Sequence, residues 1–112
     1  MNLRPFLPLF LAVCTLAATG PVAAADPEVK IAIRGHRFVP DEVSIPAGTK
    51  VKLVISNEDA TPEEFESHEL NREKVVPAKG TATLFVGPLK PGRYPFIGEF
   101  HKDTAKGVLI AK

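Results

Sequence analysis

The stretch Ile45-Pro-Ala-Gly-Thr-Lys-Val-Lys-Leu-Val-Ile-Ser-Asn57 decides the fold class of this chain. From Val51 to Ile55, valine, leucine and isoleucine take every second position. That period is typical of a strand with one buried face. The turn residues Pro46-Ala47-Gly48 precede this run and end a shorter alternating run at residues 43–45. We therefore predict two strands separated by a tight turn.

The same alternation recurs along most of the chain, with turn residues between the runs. The predicted strands cover residues 29–33, 43–45, 51–55, 81–86, 94–98 and 108–110, with a further short one around Phe65. We find no internal repeat and no low-complexity segment. The pattern predicts an all-β fold, a single Greek-key β-sandwich of about seven strands over residues 26–112.

Residues 1–25 have the three parts of a secretory signal peptide. Arg4 supplies the positive start, residues 6–16 form the apolar centre, and Ala23-Ala24-Ala25 provides the small residues of a cleavage site. The apolar centre is too short and too interrupted by proline for a transmembrane helix. We therefore expect a mature domain of residues 26–112 that is exported to the periplasm and does not span the membrane.

Composition restricts what this mature domain can bind. The only cysteine, Cys14, and the only methionine, Met1, both lie in the predicted signal peptide, so any ligand must be bound without sulfur and no disulfide can form. Without Arg4, 13 basic side chains stand against 13 acidic ones. This balance favours neither nucleic acid nor an anionic membrane surface as a partner.

Charge departs from balance only between residues 58 and 73. Arg72 is the one basic residue there, against seven acids: Glu58, Asp59, Glu63, Glu64, Glu66, Glu69 and Glu73. A helix beginning at Thr61 and a strand around Phe65 are both compatible with this segment. We favour the strand, because a helix here would have no apolar stripe to bury. Either conformation places Glu64 and His68 on one face, and only the strand adds Glu66 to it.

A second polar group, Glu99 and His101, directly follows the predicted strand that ends at Gly98. Carboxylates and imidazole at the end of a strand can converge on iron, manganese, zinc or copper(II). Two such residues alone are more often solvated than ligating. His36 lies between Arg34 and Arg37, so we expect it to be solvated and in a field that repels cations.

Two sets of motifs resemble cupredoxins. The first set comprises Phe38-Val-Pro40, Ile45-Pro-Ala-Gly48-Thr-Lys-Val51 and Ile55-Ser-Asn57, and the second comprises Tyr94-Pro-Phe96-Ile-Gly98-Glu-Phe-His101 and Lys106-Gly107-Val-Leu. In this register, Gly98 stands where copper cupredoxins have their cysteine and Ala105 where they have methionine, whereas His101 keeps the histidine. The resemblance implies the cupredoxin fold without a blue-copper centre, which requires a thiolate.

A closer resemblance is to periplasmic cupredoxin-domain proteins associated with bacterial high-affinity iron permeases. The motifs that carry it are Glu64-Phe-Glu66-Ser67 with Glu69-Leu70, and Glu99-Phe100-His101 with Thr104-Ala105-Lys106-Gly107. It implies a metal-binding accessory protein in ferrous iron uptake that delivers iron to a permease or assists its oxidation. The implied partners are an inner-membrane iron permease and other periplasmic iron-uptake proteins.

The candidate metal ligands are five: Glu64, Glu66, His68, Glu99 and His101. Relatives often have an acidic residue at the position of Gly98. Two alternatives are open for His68: it supplies the ligand lost there, or it is a half-exposed histidine without a ligand role. Iron is the expected metal, and copper(II) is a possible one.

Two other functions remain open from the sequence. The same residues suit a copper(II) or zinc carrier, and a docking sandwich without metal would need none of them. The sequence has no nucleophile beside a histidine, no phosphate-binding loop and no dinucleotide motif, so no catalytic residue is assigned. At most, the protein would be a ferroxidase-type partner within an iron-uptake complex.

Overall fold

The structure is a computed structural model that describes Leu3, Pro5, Pro8 and residues 11–15 and 25–112. Most of the predicted signal peptide therefore lies outside the described residues, and its cleavage stays a prediction. Within the described residues, no helix is long and apolar enough to cross a membrane.

Nine strands form the domain, and a single 3-10 turn at Glu99–His101 interrupts them. Their bounds are β1 Glu28–Ile33, β2 Phe38–Val39, β3 Glu42–Ile45, β4 Val51–Asn57, β5 Glu63–Ser67, β6 Arg72–Val76, β7 Thr81–Val86, β8 Gly92–Gly98 and β9 Lys106–Ala111. They form a four-stranded sheet in the order β2-β1-β4-β7 and a five-stranded sheet in the order β3-β9-β8-β5-β6. The predicted all-β sandwich is confirmed, with nine strands where the sequence indicated about seven.

The two additional strands are those without apolar alternation. β2 is only two residues long, and in β6 only the last residue, Val76, is buried. β6 is an edge strand of the five-stranded sheet and pairs with β5 on one side only. Such a strand is specified by pairing with β5, and it therefore leaves no periodic signal in the sequence.

The core lies between the two sheets and consists of the inward-facing residues of each strand. In β4 the pattern of burial alternates strictly, and Val51, Leu53 and Ile55 are all fully buried, as the sequence predicts. Phe96 packs against Phe38 and Phe65, with ring centroids 4.9 Å apart in both pairs. Because Phe65 belongs to the buried face of β5, this aromatic group packs against the inner side of that strand.

The segment around Phe65 is strand β5, which confirms the prediction of a strand over a helix. Phe65 is opposite Gly98 of β8, and Glu66 is opposite Glu73 of β6. Because side chains alternate along a strand, Glu63, Phe65 and Ser67 point into the sandwich and are buried, whereas Glu64 and Glu66 lie on the outer face. β5 thus presents acidic residues to both sides of the sheet.

Candidate metal centre

Four carboxylates form an acidic cluster on the outer face of the five-stranded sheet: Glu64, Glu66, Glu73 and Glu99. Glu64 and Glu66 are neighbours on that face of β5, and Glu73 joins them from β6. Carboxylate oxygens of these three residues all lie within 4.8 Å of one another, a spacing that a single cation can bridge. Glu73 is part of the group because its register places it opposite Glu66.

Glu99 completes the acidic cluster from the 3-10 turn. Its contact with the carboxyl group of Glu66 is the main cause that lowers the pKa of Glu99, followed by the hydrogen bond from Lys102. Its carboxylate also lies 2.9 Å from the Nζ of Lys102, the only salt bridge recorded for a member of the cluster among the described residues. Among the described residues, one ammonium group therefore stands against four carboxyl groups of the acidic cluster.

Crowding of like charges changes the acidity of the two β5 glutamates. Contact with the carboxyl group of Glu73, followed by partial burial and electrostatic repulsion from Glu73, raises the pKa of Glu64. The same effects from Glu99 raise the pKa of Glu66. Repulsion from their neighbours makes these carboxylates hold protons more strongly than usual. A bound cation would relieve that repulsion.

The buried side of β5 carries a second polar group, the pair Glu63 and His101. Glu63 is only 1% exposed, and its Oε2 lies 2.5 Å from Nδ1 of His101. Its Oε1 accepts hydrogen bonds from the backbone N–H of Glu64 at 3.0 Å and from that of Phe100 at 2.9 Å. The carboxylate is thus fully partnered inside the sandwich.

Gly98 leaves the space that this carboxylate occupies. A Cβ atom at Gly98 would lie 2.6 Å from Cδ of Glu63 and 2.6 Å from Cβ of Ala105, both far closer than van der Waals contact. Glu63 and Ala105 therefore fill the space beside Gly98, which favours the alternative in which His68 has no ligand role. His68 is exposed and begins the turn between β5 and β6, where Asn71 N–H donates to its carbonyl.

His36 is not simply solvated, contrary to the expectation from its arginine neighbours. Its ring stacks on that of His101, with centroids 3.7 Å apart and planes 14° from parallel. Positive φ angles at Gly35 and His36, 59° and 58°, give a type I′ hairpin turn. Asp59 holds this turn by accepting both backbone N–H groups, and these contacts lower the pKa of Asp59.

The five predicted ligands therefore divide into three places. Glu64, Glu66 and Glu99 come together on the outer face, His101 pairs with Glu63 at the inner side, and His68 lies in an exposed turn beside Glu66. Sequence reasoning missed Glu63, Glu73 and His36. The register of a β5–β6 hairpin could have indicated Glu73, but nothing in the alternation suggests that a glutamate takes a buried position such as that of Glu63.

The two-sheet β-sandwich agrees with the family indicated by the sequence motifs, and comparison with known proteins supports the same family. The cupredoxin-like domain family matches residues 7–111. The chain belongs to the cupredoxin-like domain family. This cupredoxin-like domain is 52% identical over 83 residues to an uncharacterized protein of Rickettsia prowazekii (strain Madrid E). The match covers 74% of this chain and 66%, just under two thirds, of the relative.

Solved structures show the same cupredoxin-like fold at low sequence identity. The metal-binding domain of the Cu(I)-exporting P-type ATPase of Streptococcus pneumoniae has a TM-score of 0.68 at 14% identity, with 76% of this chain and 84% of that chain covered. Auracyanin A, a blue copper protein of Chloroflexus aurantiacus, has 0.68 at 15%, covering 79% and 100%. Amicyanin of Paracoccus versutus has 0.60 at 16%, covering 80% and 86%. At these identities the likeness shows the fold alone.

Proposed function

We propose that this cupredoxin-like domain binds ferrous iron at its acidic cluster and serves as a periplasmic accessory protein in iron uptake. Glu64, Glu66 and Glu99 are the proposed ligands that the sequence indicated, and Glu73 is added to them. His101 supports the site from the 3-10 turn that also carries Glu99. His68, in the exposed turn beside Glu66, has at most a peripheral role in binding.

One observation carries the proposal: oxygens of Glu64, Glu66 and Glu73 lie within 4.8 Å of one another, although three like charges repel. A fold that holds carboxylates this close stores repulsion which a divalent cation would relieve. Carboxylate oxygens suit iron and manganese better than copper(I), which prefers sulfur. Residues 26–112 contain no sulfur to offer.

Carboxylate ligands also bear on the oxidation state of bound iron. Anionic oxygen ligands stabilise the ferric ion more than the ferrous ion, so a site of this kind would favour loss of an electron from its cargo. Any such oxidation needs an electron acceptor from outside the domain. Delivery to, or oxidation beside, an inner-membrane iron permease in the periplasm is the role that fits a domain preceded by a signal-peptide pattern.

Anaerobic titration tests the proposal directly. The protein is purified without oxygen and titrated with ferrous iron, and with manganese(II) as a stable substitute, by calorimetry. We expect one divalent ion per chain and loss of affinity by ten-fold or more when Glu66 is changed to Gln, since one ligand is lost. Glu42→Gln is the matched control because Glu42 is exposed on β3, which is not adjacent to β5. Absence of binding by the unaltered protein would refute the proposed function.

A second candidate, copper(II) or zinc binding, is favoured by a different observation, the stacking of His36 on His101. Two imidazoles with adjacent carboxylates are ligands that these ions prefer, and the Irving–Williams order gives copper(II) the higher affinity. His36→Ala distinguishes the two candidates. It should leave manganese(II) affinity unchanged if the acidic cluster is the site, and it should reduce copper(II) affinity if the histidines are.

A further inference from the structure

Glu63 connects the two segments that carry the acidic cluster. Its Oε1 accepts from the backbone N–H of Glu64, in the same strand, and from the backbone N–H of Phe100 in the 3-10 turn. Each donor belongs to a residue of the cluster or to its immediate neighbour, because Phe100 follows Glu99. A single buried oxygen atom therefore joins β5 to the turn that presents Glu99.

Glu63 is the side chain that accepts a hydrogen bond from a backbone N–H of the 3-10 turn. Its first residue follows Gly98, which has no side chain and makes no capping hydrogen bond. The N–H groups at the start of a helical turn need acceptors, and Glu63 supplies one from a different strand. Its other oxygen contacts His101 at the end of the same turn, so the carboxylate binds the turn at two points.

Gly98 is what permits this arrangement. Any Cβ there would overlap both the Glu63 carboxyl carbon and the Ala105 side chain. Ala105 is fully buried and closes the far side of the same space, with Gly98 N–H donating to its carbonyl at 2.8 Å. The absence of a side chain at residue 98 thus sets the position of Glu63, and Glu63 sets the position of the turn.

We infer that Glu63 is a positioning residue, which fixes the distance between the β5 carboxylates and Glu99 and so pre-organises the acidic cluster. The effect of Glu63 on metal affinity rests on the proposed function, whereas its effect on the 3-10 turn does not. Sites held by supporting hydrogen bonds bind more tightly because little ordering is left for the ligand to impose.

Three variants test the inference by two measurements. Glu63→Ala removes both contacts with the 3-10 turn, those to Phe100 and His101. Gly98→Ala displaces the Glu63 carboxylate but keeps it in the protein. Glu63→Gln keeps a carbonyl oxygen for the two N–H groups. The matched control is Leu53→Ala, a fully buried change in the other sheet that lowers stability without contacting the turn. Hydrogen exchange reports on the N–H of Phe100, and calorimetry reports on manganese(II) affinity.

We expect Glu63→Ala and Gly98→Ala to lose protection at the Phe100 amide and to weaken manganese(II) binding by about 10- to 100-fold, the loss usual for supporting residues. Glu63→Gln should retain most of both, and Leu53→Ala should bind manganese(II) within about three-fold of the unaltered protein. Folded Glu63→Ala with a protected Phe100 amide and full affinity would overturn the inference, as would equal losses in Leu53→Ala. If Glu63→Ala does not fold, Gly98→Ala and Glu63→Gln decide. If the unaltered protein binds no manganese(II), the proposed function fails and Phe100 exchange alone decides the positioning role.

Discussion

Glu66 of β5 and Glu73 of β6 lie directly opposite each other across an antiparallel pair of strands. Like charges in that position destabilise a sheet, whereas opposite charges stabilise it. The protein nevertheless adds Glu64 and Glu99 to the same group. An arrangement that costs stability in the metal-free protein is understandable if a cation is bound there.

Glu73→Gln should therefore have opposite effects on the apo and metal-bound protein. Removing one charge relieves repulsion, so the apo protein should melt a few degrees higher in the presence of a chelator. Manganese(II) should raise the melting temperature of the variant less than that of the unaltered protein, because the variant binds it more weakly. Differential scanning fluorimetry with chelator and with manganese(II) measures both. A lower apo melting temperature would indicate that Glu73 is structural.

Metal affinity should fall on acidification at a higher pH than ordinary glutamates would cause. The pKa values of Glu64 and Glu66 are raised above the usual 4.5, so protons compete with the metal over that raised range. In the apo protein, the same two groups keep protons that the unfolded chain has lost. Their contribution to stability is therefore greatest below pH 4.5 and is lost as the pH rises through the raised values.

A pH series of manganese(II) titrations and apo melts checks both statements. Glu73→Gln should shift the pH dependence of affinity toward lower pH, since Glu73 is the main cause of the raised pKa of Glu64. Glu99 affects the pH dependence of apo stability in the opposite direction, because its pKa is lowered. An affinity that is independent of pH between 4.5 and 7 would contradict the prediction.

The sequence could predict those strands of the fold that bury one face. β4 alternates from Val51 onward, and hydrophobic burial alone specifies it. β6 exposes four of its five residues, so only its pairing with β5 defines it. Local periodicity in the sequence does not predict such pairing. The same reasoning explains why about seven strands were predicted and nine are present.

For the candidate site, sequence could predict side chains that share one strand but not those that meet across the sandwich. Glu64 and Glu66 follow from a two-residue period. The contacts of Glu63 with His101, 38 residues apart, and of His36 with His101 depend on how distant turns meet. The arginines beside His36 suggested a solvated side chain, but Asp59 accepts both backbone N–H groups of the turn that carries it.

His101→Ala should destabilise the apo protein. The loss of a solvated side chain that only binds metal would not. It leaves the Glu63 carboxylate, 1% exposed, without its imidazole partner. Removing one partner of a buried hydrogen bond, so that the other is left unsatisfied, costs about 1–3 kcal/mol. Urea denaturation in chelator measures this loss. His68→Ala is the control and should change stability by less than ~0.5 kcal/mol, as surface changes do.

Copper(II) should produce no intense blue colour with this protein. That absorption arises from a bond between copper and a cysteine thiolate, and residues 26–112 have neither cysteine nor methionine. The visible spectrum after addition of copper(II) checks this, with Cys14→Ser as control for any chain that retains residues 1–25. A strong band that persists in Cys14→Ser would contradict the site described above.

Gly98→Asp should damage the fold instead of supplying a ligand. The new Cβ would lie 2.6 Å from both Glu63 Cδ and Ala105 Cβ, and a second carboxylate would be forced against a buried one. Overpacking of this kind costs about 1–3 kcal/mol before the added charge is counted. If His68 compensated for the missing ligand, His68→Ala would weaken manganese(II) binding in the native background and much less in Gly98→Asp. Because Glu63 fills that space, we expect His68→Ala to have little effect in either background, so the two changes should be additive in a double-mutant cycle. Strong coupling between them would show that His68 reaches the position that Glu63 occupies here.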